Sequence, residues 1–275
     1  MASYAGPANS GRNVMTIGFI GTGEITKAVV TGMSTVDGEK PTILVSPRNE
    51  EIAATLADRF ENVAVAASNQ DVIDGAESVC LALRPGDAEE IIKTLKFGPS
   101  HHVISFMPTF SQARLARIVA PATRITLVTP LPAVAFHGGP TPVFPPDEDV
   151  IAMFEPLGTV VAAETDDEYQ AMCVATASLA GAFAYYETIA DWLQAKNLPA
   201  DKARAFSGAV FYALAATARN APEMSFSELT RESATRGGTN EQVLKHLKDN
   251  NVYTAFSKAL DGIWDRFENA KPSSD

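Results

Sequence analysis

The chain has 275 residues, a formal net charge of −11 and 46% hydrophobic residues, enough to bury one large core or two ordinary ones. The acidic balance argues against nucleic acid or an anionic membrane as the main partner. No apolar run is long enough to span a membrane. Residues 1–13 lack the apolar stretch of a secretory signal, so we expect a disordered leader before a fold that starts near Met15.

The two cysteines, Cys80 and Cys173, lie in apolar stretches with no Cys-x-x-Cys or Cys/His cluster nearby. This usage is typical of buried thiols in a reducing compartment, and we therefore expect a cytoplasmic protein. The histidines show no metal-ligand spacing, so the sequence predicts no metal site. We expect all four on the surface: His101, His102, His137 and His246.

Residues 15–33 carry the most informative pattern, MTIGFIGTGEITKAVVTGM. An apolar run predicts a buried strand, and helical periodicity follows the glycines. Gly21 permits a tight turn, Gly23 lets backbone approach a pyrophosphate, and the helix N-terminus attracts that phosphate. Thr26 stands where the usual fingerprint has its third glycine. The pattern predicts a dinucleotide site, and the alternative is a glycine turn in another kind of α/β unit.

The second predicted strand, residues 42–45, is followed by Ser46, Arg48 and Asn49. A dinucleotide fold that selects NAD has an acidic residue here, which binds the adenosine ribose. None is present. The guanidinium of Arg48 suits a 2′-phosphate because its planar fork can donate two hydrogen bonds. The pattern favours NADPH over NADH, and the alternative is that Arg48 only solvates a loop.

Strands alternate with helices to about residue 163, which predicts parallel βαβ units with a ligand beyond the carboxyl ends of the strands. The turns at residues 83–85 and 107–109 lie at that edge. The Pro- and Gly-rich stretch 138–146 predicts an edge strand. Strands are predicted over residues 17–20, 42–45, 63–66, 78–83, 102–106, 124–129 and 159–163, and helices over 50–60, 89–97, 113–119 and 150–157.

From Thr165 the pattern is helical only. Thr165 and Glu168 predict a capping box, and apolar and small residues continue to about Lys196. Such a long helix predicts a dimer element, and the alternative is a central helix in a monomeric bundle. Further helices are predicted over residues 201–219, 225–233, 239–248 and 252–269.

A second glycine-rich stretch, TRGGTNEQ over residues 235–242, precedes one of these helices. Thr239 and Gln242 predict a capping box there, which does not require the pair Gly237 and Gly238. With the helix start, the glycines could form a nest of backbone N–H groups for an anion such as a substrate carboxylate. The alternative is a plain turn that leads into the helix.

No Gly-x-Ser-x-Gly stretch or acid–base cluster predicts nucleophilic catalysis. Hydride transfer needs little more than a site that holds the nicotinamide against an electrophilic carbon, because the cofactor carries the reaction. Imine reduction suits such a chain, since an iminium can be protonated before the hydride arrives.

Five stretches, in order, resemble the pyrroline-5-carboxylate reductases, and the resemblance runs from Thr16 to about Phe267. IGFIGTGEITKAV is similar to that family's IGFIGAGNMAEAI, SNQDVIDGAESVCLALRPGD to DN…ADVVILAVKPQ, and VISFMPTF to VISFAAGI. RITLVTPLPAVAFHGG corresponds to RVMPNTPALVGEG, and ATRGGTNEQVLKHL to TSPGGTTIAGL.

The resemblance implies an α/β fold class, with a Rossmann-type dinucleotide-binding domain over residues 14–163 and an all-α domain over residues 164–275 that forms a homodimer or a higher oligomer. It implies that NADPH reduces the cyclic imine 1-pyrroline-5-carboxylate to L-proline, in proline biosynthesis, within the dimer cleft. The implied cofactor contacts are Gly21, Thr22, Gly23, Glu24, Ile25, Ser46, Arg48, Asn49, Asn69, Leu83, Arg84, Pro85, Met107 and Thr109.

The partner's copy of the second glycine-rich loop would hold the substrate carboxylate and imine nitrogen. The resemblance implies substrate contacts by Arg236, Gly237, Gly238, Thr239 and Asn240, with Thr239 and Asn240 as catalytic residues.

The substrate loop departs from the family pattern more than the cofactor residues do. Asn240 stands where the family has a second threonine, whose hydroxyl reaches the imine nitrogen. Arg236 replaces a proline, and Pro130 replaces an asparagine. The resemblance therefore still predicts the type of reaction, but it leaves the identity of the substrate open. One alternative is a reductase that acts on another imine. A second is a β-hydroxyacid-dehydrogenase-like reductase, although the catalytic lysine of that class is matched only by Lys196 at the end of the long helix. A third is a protein that binds NADPH without catalysis.

Overall fold

A computed structural model describes residues 15–270, so the predicted leader lies outside the described residues. The first compact unit ends at Cys173 and contains a single sheet flanked by helices, and the second begins at Val174 and is helical. This confirms the predicted fold class. The predicted domain boundary between residues 163 and 164 falls directly after the last strand, and it stays a prediction.

The sheet has eight strands in the order β3-β2-β1-β4-β5-β6-β7-β8. Every neighbouring pair is parallel except β6 and β7, and Thr16 of β1 lies opposite Thr42 of β2, while Ile17 lies opposite Ser78 of β4. The chain turns back beside β1, which opens a crevice between the carboxyl ends of β1 and β4. The strands are β1 Thr16–Ile20, β2 Thr42–Val45, β3 Val63–Val65, β4 Ser78–Leu81, β5 His102–Ser105, β6 Arg124–Val128, β7 Pro140–Phe144 and β8 Thr159–Ala162.

Seven helices accompany the sheet, with 3₁₀ turns over Pro132–Phe136 and Glu155–Leu157. The short α3 was not predicted, and α4 begins four residues earlier than predicted because Pro85 takes the first helical position, where its missing N–H is not needed. The helices are α1 Glu24–Thr35, α2 Glu50–Arg59, α3 Asn69–Asp74, α4 Pro85–Lys93, α5 Gln112–Ile118, α6 Glu148–Phe154 and α7 Asp166–Ala175.

The core of the first unit lies against the sheet. Phe19, Phe106 and Phe154 are buried and pack in series, with ring centroids 6.3 and 6.0 Å apart. Burial of a side chain of this size contributes roughly 1.5–3 kcal/mol. This packing fixes β1 and β5, and it therefore gives the glycine turn after β1 a rigid base.

The prediction that residues 138–146 form an edge strand is wrong, because β7 lies between β6 and β8. The carbonyl of Pro142 accepts from Thr129 N beyond β6, whereas that of Val143 accepts from Ala163 N beyond β8. Alternation along the strand therefore turns the missing N–H groups of Pro140 and Pro142 toward β6. Strand β6 pairs with only the last two residues of β7, so the prolines interrupt no ladder there.

His102 was expected on the surface, but it is only 4% exposed. Its Nε2 lies 2.9 Å from Thr126 Oγ1 and 3.8 Å from Asp147 Oδ2. Burial, with a smaller contribution from the cation of Arg124, lowers the pKa of His102. His137 and His246 are exposed, as predicted. Within the described chain, no group of three or more His, Cys, Asp and Glu side chains is placed to hold a metal ion.

The second unit consists of α8 Ser178–Ala195, α9 Ala200–Arg219, α10 Phe226–Ser233, α11 Thr239–Asp249 and α12 Val252–Ala270. The single long helix predicted from residue 165 to 196 is two helices, α7 and α8. The predicted capping box at its start is half present. Glu168 N donates to Thr165 Oγ1 at 3.2 Å, but the Glu168 carboxylate accepts from Glu164 N at 2.8 Å rather than from Thr165 N.

The helices of the second unit bury very little within one chain. Among its described residues only Val174, Ala203 and Ser207 are buried, although Tyr186 of α8 stacks on Phe211 of α9 with ring centroids 3.4 Å apart. No helix in the described part of the chain is long and apolar enough to cross a membrane. The large apolar side chains left exposed include Leu179, Phe183, Tyr185, Trp192, Phe206, Tyr212, Leu214, Phe226, Val243, Val252, Tyr253 and Phe256.

Candidate functional site

A cleft of about 560 Å³ lies at the carboxyl ends of β1, β2 and β4. This is the crevice where the strand order reverses, the usual ligand position in an open α/β sheet. It is lined by Gly21, Thr22, Gly23, Arg48, Asn49, Glu50, Ala82, Leu83, Arg84 and Asp87.

The two glycines of the turn differ in their surroundings. Gly21 has a φ of +96°, and a Cβ there would lie 2.3 Å from the carbonyl oxygen of Ala82. Both the backbone conformation and the lack of space therefore exclude a side chain. At Gly23 a Cβ would meet no atom within 4 Å. The turn is therefore tight at its first glycine and open at its second, as the close approach of a pyrophosphate requires.

Three hydroxyl groups brace this turn from below. Gly21 N donates to Ser46 Oγ at 3.0 Å, and Thr22 Oγ1 donates to the Ser46 carbonyl at 2.6 Å. Thr26, in the place of the third glycine, donates from Oγ1 to the Gly21 carbonyl at 2.5 Å. Ser46 is fully buried. Its hydroxyl supports the shape of the turn from a position beneath it, rather than lining the cleft as a predicted cofactor contact would.

Two helices begin at the cleft, and neither has a side-chain cap. The N-cap residues of α1 and α4 are Gly23 and Arg84, which both line the cleft. The start of α1 leaves backbone donors and a positive dipole end for an anion. At α4 the dipole end is also positive, but Pro85 has no N–H and Asp87 N already donates to the Arg84 carbonyl at 3.1 Å. By contrast, α2, α3, α5 and α6 are capped by the side chains of Asn49, Ser68, Ser111 and Asp147.

Charged side chains surround the mouth of the cleft. Arg48 Nη2 lies 3.2 Å from Asp87 Oδ2, with both side chains more than half exposed. Asn49 Oδ1 accepts from Ile52 N at 3.4 Å, so part of its amide caps α2. Glu50 and Asp87 were not predicted at the site. Asp87 could have been found from the proline rule for helix starts, which places it in the first turn of α4.

Seven of the predicted cofactor residues line the cleft, and the other seven do not. Met107 is buried and Thr109 exposed after β5, and Asn69 is the first residue of α3 after β3. These three positions follow the carboxyl ends of parallel strands. For them, as for the other predicted cofactor residues, contact with a cofactor stays a prediction. The seven residues outside the lining are Glu24, Ile25, Ser46, Asn69, Pro85, Met107 and Thr109.

The second glycine loop is held by its own backbone and by one carboxylate. Gly237, at φ +76°, donates its N–H to Glu241 Oε2 at 2.6 Å, and Gly238 N donates to the Thr235 carbonyl at 2.8 Å. The predicted capping box of Thr239 and Gln242 is wrong. Gly238 is the N-cap of α11 and makes no side-chain cap. The carboxylate of Glu241, which sequence reasoning missed, reaches back to the loop instead.

The predicted catalytic residues occupy the first turn of α11. Asn240 Nδ2 donates to the carbonyl of Ser233, the last residue of α10, at 3.0 Å. Asn240 also borders a cavity of about 450 Å³ that is apolar along Leu214, Leu229 and Leu244. Thr239 and Arg236 are exposed. The backbone N–H groups of this first turn have no carbonyl partner within the helix, so they remain available as donors.

A buried polar cluster joins α7 to the end of β6. Thr129 Oγ1 lies 2.7 Å from the Tyr169 hydroxyl and 3.2 Å from Cys173 Sγ. Burial raises the pKa of both Tyr169 and Cys173, so both groups stay neutral at physiological pH. Cys80 is buried as well, and the two cysteines form no disulfide in the described chain. Their predicted burial is confirmed.

Two family models match successive parts of the sequence. Residues 16–109 match the NADP oxidoreductase, coenzyme F420-dependent model, and residues 167–270 match the pyrroline-5-carboxylate reductase dimerisation model. The chain thus joins a domain of the NADP oxidoreductase type to the dimerisation domain of the pyrroline-5-carboxylate reductases. Among curated proteins, none matches the sequence.

Solved structures of that family share the fold. The enzyme of Streptococcus pyogenes is 22% identical with a TM-score of 0.79, covering 94% of this chain and 100% of its own. That of Coxiella burnetii is 22% identical with a TM-score of 0.80, covering 95% and 100%. The NADP-bound enzyme of Plasmodium falciparum is 15% identical with a TM-score of 0.79, covering 94% and 98%. At such identities the likeness establishes the fold alone.

Proposed function

We propose that this protein is an NADPH-dependent reductase of carbon–nitrogen double bonds, and that it acts on a small cyclic imino acid. The first candidate is 1-pyrroline-5-carboxylate, whose reduction gives L-proline in proline biosynthesis. One observation carries the proposal. The open glycine turn and two arginines line a cleft at the sheet's switch point, in a chain with this family's dimerisation domain.

The cleft supports a dinucleotide. The free N–H groups at the start of α1 suit a pyrophosphate, and the guanidinium groups of Arg48 and Arg84 also line the cleft. The Plasmodium falciparum structure contains bound NADP. This chain has no acidic residue among Ser46, Pro47 and Arg48 directly after β2, which favours the phosphorylated cofactor. A bound nicotinamide dinucleotide would supply the hydride. The residues of the chain would hold it and keep its reactive end against the imine carbon.

The substrate half of the proposal involves the start of α11. A substrate carboxylate would meet the free N–H groups of the first turn, and it would use Gly237 N only by displacing the Glu241 carboxylate. The side chain of Asn240 carries an amide that can donate to an imine nitrogen. Release from the Ser233 carbonyl frees that donor. Arg236 is exposed beside the loop and adds a cation that favours an anionic substrate.

We propose a homodimer formed through the helical unit, with higher oligomers built from it. The exposed aromatic and aliphatic side chains of α8, α9 and α12 support this, because so many large apolar side chains left exposed on helices indicate an association face. The resemblance to the pyrroline-5-carboxylate reductases implies an active site in the dimer cleft, so dimer formation would complete the substrate half of the site. A cytoplasmic location agrees with two cysteines that form no disulfide.

A second candidate function is a protein that binds NADPH without catalysis. The Glu241 carboxylate on Gly237 N favours it, since an internal anion already uses a donor of the substrate loop. The β-hydroxyacid-dehydrogenase-like alternative gains no such support. Lys196 is the C-cap of α8, and its Nζ lies 5.7 Å from the centroid of the Trp192 ring.

The deciding experiment measures oxidation of NADPH and of NADH with a panel of cyclic imines, with and without a carboxylate. Turnover of 1-pyrroline-5-carboxylate with NADPH is the expected result. Turnover of another imine alone would correct the substrate. Tight NADPH binding without turnover of any imine would replace the reductase with the non-catalytic alternative.

The cofactor assignment has its own test in Arg48→Ala. We expect NADPH binding to weaken more than NADH binding by about 1.5–3 kcal/mol, the contribution of a charged hydrogen-bond partner. Arg59→Ala is the matched control, because Arg59 lies at the opposite end of α2. Equal losses for the two cofactors in Arg48→Ala would contradict the phosphate assignment.

A further inference from the structure

An ion pair spans the mouth of the nucleotide cleft. Arg48, in the turn after β2, and Asp87, in the first turn of α4, come within 3.2 Å of each other, and both line the cleft. Asp87 is the partner that the described structure gives to Arg48. The residue suited to a 2′-phosphate is therefore already paired with a carboxylate of the same chain.

We propose that Asp87 is a specificity-determining residue that lowers the preference of this site for NADPH over NADH. A 2′-phosphate on the adenosine ribose must displace the Asp87 carboxylate from Arg48 and then lie beside its negative charge. A free 2′-hydroxyl carries no charge and can donate to the same carboxylate. This inference rests on the proposed function, since it takes the cleft to bind a nicotinamide dinucleotide.

The size of the effect follows from exposure and charge. Arg48 and Asp87 are both more than half exposed, so water and salt screen their interaction. The four charged residues of the lining are two arginines with Glu50 and Asp87, whose charges cancel. Loss of one carboxylate therefore leaves the cleft with a net positive charge. Competition with a screened pair changes NADPH affinity by about fivefold.

The test compares dissociation constants for NADPH and NADH in the full chain, by quenching or enhancement of the reduced cofactor's fluorescence. We expect Asp87→Asn to bind NADPH about fivefold more tightly, with NADH changed by less than about twofold. Glu50→Gln is the matched control. It removes the same charge from the same cleft, and Glu50 makes no hydrogen bond or ion pair with Arg48 in the described structure. We expect it to favour NADPH less than Asp87→Asn does.

A second arm asks whether Asp87 acts through Arg48. In an Arg48→Ala background, Asp87→Asn should give much less than its fivefold gain for NADPH, because no guanidinium is released and only the screened repulsion between the exposed carboxylate and the 2′-phosphate is removed. The same gain in that background would overturn the proposal, as would equal effects of Asp87→Asn and Glu50→Gln.

Unchanged or weaker NADPH binding by Asp87→Asn would also overturn the proposal, and weaker binding would mean that Asp87 positions Arg48 instead of competing for it. If the unaltered chain binds neither cofactor, the proposed function fails and this inference falls with it. Binding of both cofactors with no selective response to Asp87→Asn would remove this inference alone.

Discussion

The two units of this chain use apolar side chains in opposite ways. In the first unit Phe19, Phe106 and Phe154 are enclosed beneath the sheet. In the second unit Trp192 is 61% exposed and Tyr212 is 78% exposed. One chain thus completes the core that supports the nucleotide cleft, whereas the helical unit leaves its apolar faces for another surface. From this comparison we expect that one chain by itself can bind the cofactor and that the helical half requires association.

The largest predicted effect tests that requirement. Tyr212→Glu should weaken self-association by about 1000-fold, roughly 4 kcal/mol, because it places an unpaired charge in an apolar interface. Sedimentation velocity would show a shift to the monomer, with NADPH affinity unchanged. Phe136→Glu is the control, since Phe136 is 87% exposed but belongs to the first unit. An unaltered oligomer in Tyr212→Glu, or equal dissociation in both variants, would break the comparison.

The second prediction tests the glycine turn of the first unit, which we expect to bind the cofactor without help from another chain. Gly21→Ala should lower the free energy of unfolding by about 2–4 kcal/mol, because the methyl group meets the Ala82 carbonyl at a left-handed φ. Gly23→Ala meets open space and should leave thermal stability unchanged. It should nevertheless weaken NADPH binding at least tenfold, by holding the pyrophosphate away from the backbone.

Denaturant unfolding and cofactor titration on the same samples separate these two glycine effects. Full NADPH affinity in Gly23→Ala would place the pyrophosphate somewhere other than over the turn.

The third prediction tests the proposed substrate site at the start of α11. Asn240→Ala should lower kcat for an imine by about 100-fold, the cost of one lost donor to the reacting group, with NADPH affinity kept. Asn220→Ala is a matched control. The Asn220 amide also donates to a helix carbonyl in the same unit, that of Ala216, and we expect its kinetics unchanged. Steady-state kinetics on the best imine of the panel would measure both, and equal kcat values would place Asn240 outside the site.

The smallest effect concerns stability of the first unit with pH. Burial lowers the pKa of His102 below its ordinary 6.5, so the unfolded chain binds this proton more readily than the folded one. The stabilisation is fully present above pH 6.5 and is lost as pH falls through the lower folded pKa. Chemical unfolding between pH 7.5 and pH 5 should show this loss, and His102→Gln should reduce it.

His246→Gln is the control for that experiment, because His246 is exposed on α11. An equal pH slope in the unaltered chain and in His102→Gln would show that His102 does not carry the effect.

Much of the first unit could be predicted because its signals are local. The apolar run of residues 42–45 gave β2 its observed bounds, and the two glycines gave the turn over the cleft. Prolines were harder, since Pro85 begins a helix and Pro142 lies inside the sheet. Whether a proline ends a helix or strand therefore depends on whether the structure needs a backbone N–H group at that position.

The sequence by itself determined the alternation of strands and helices, the glycine turn and the position of Arg48, because each depends on residues within one or two turns of the chain. Tertiary structure decided that Ser46 is buried beneath the turn, that His102 is buried, and that Asp87 reaches Arg48. These outcomes join residues 24 to 39 positions apart. Long-range pairing of strands sets such contacts, and a local pattern of polar and apolar residues carries no information about which distant group will arrive.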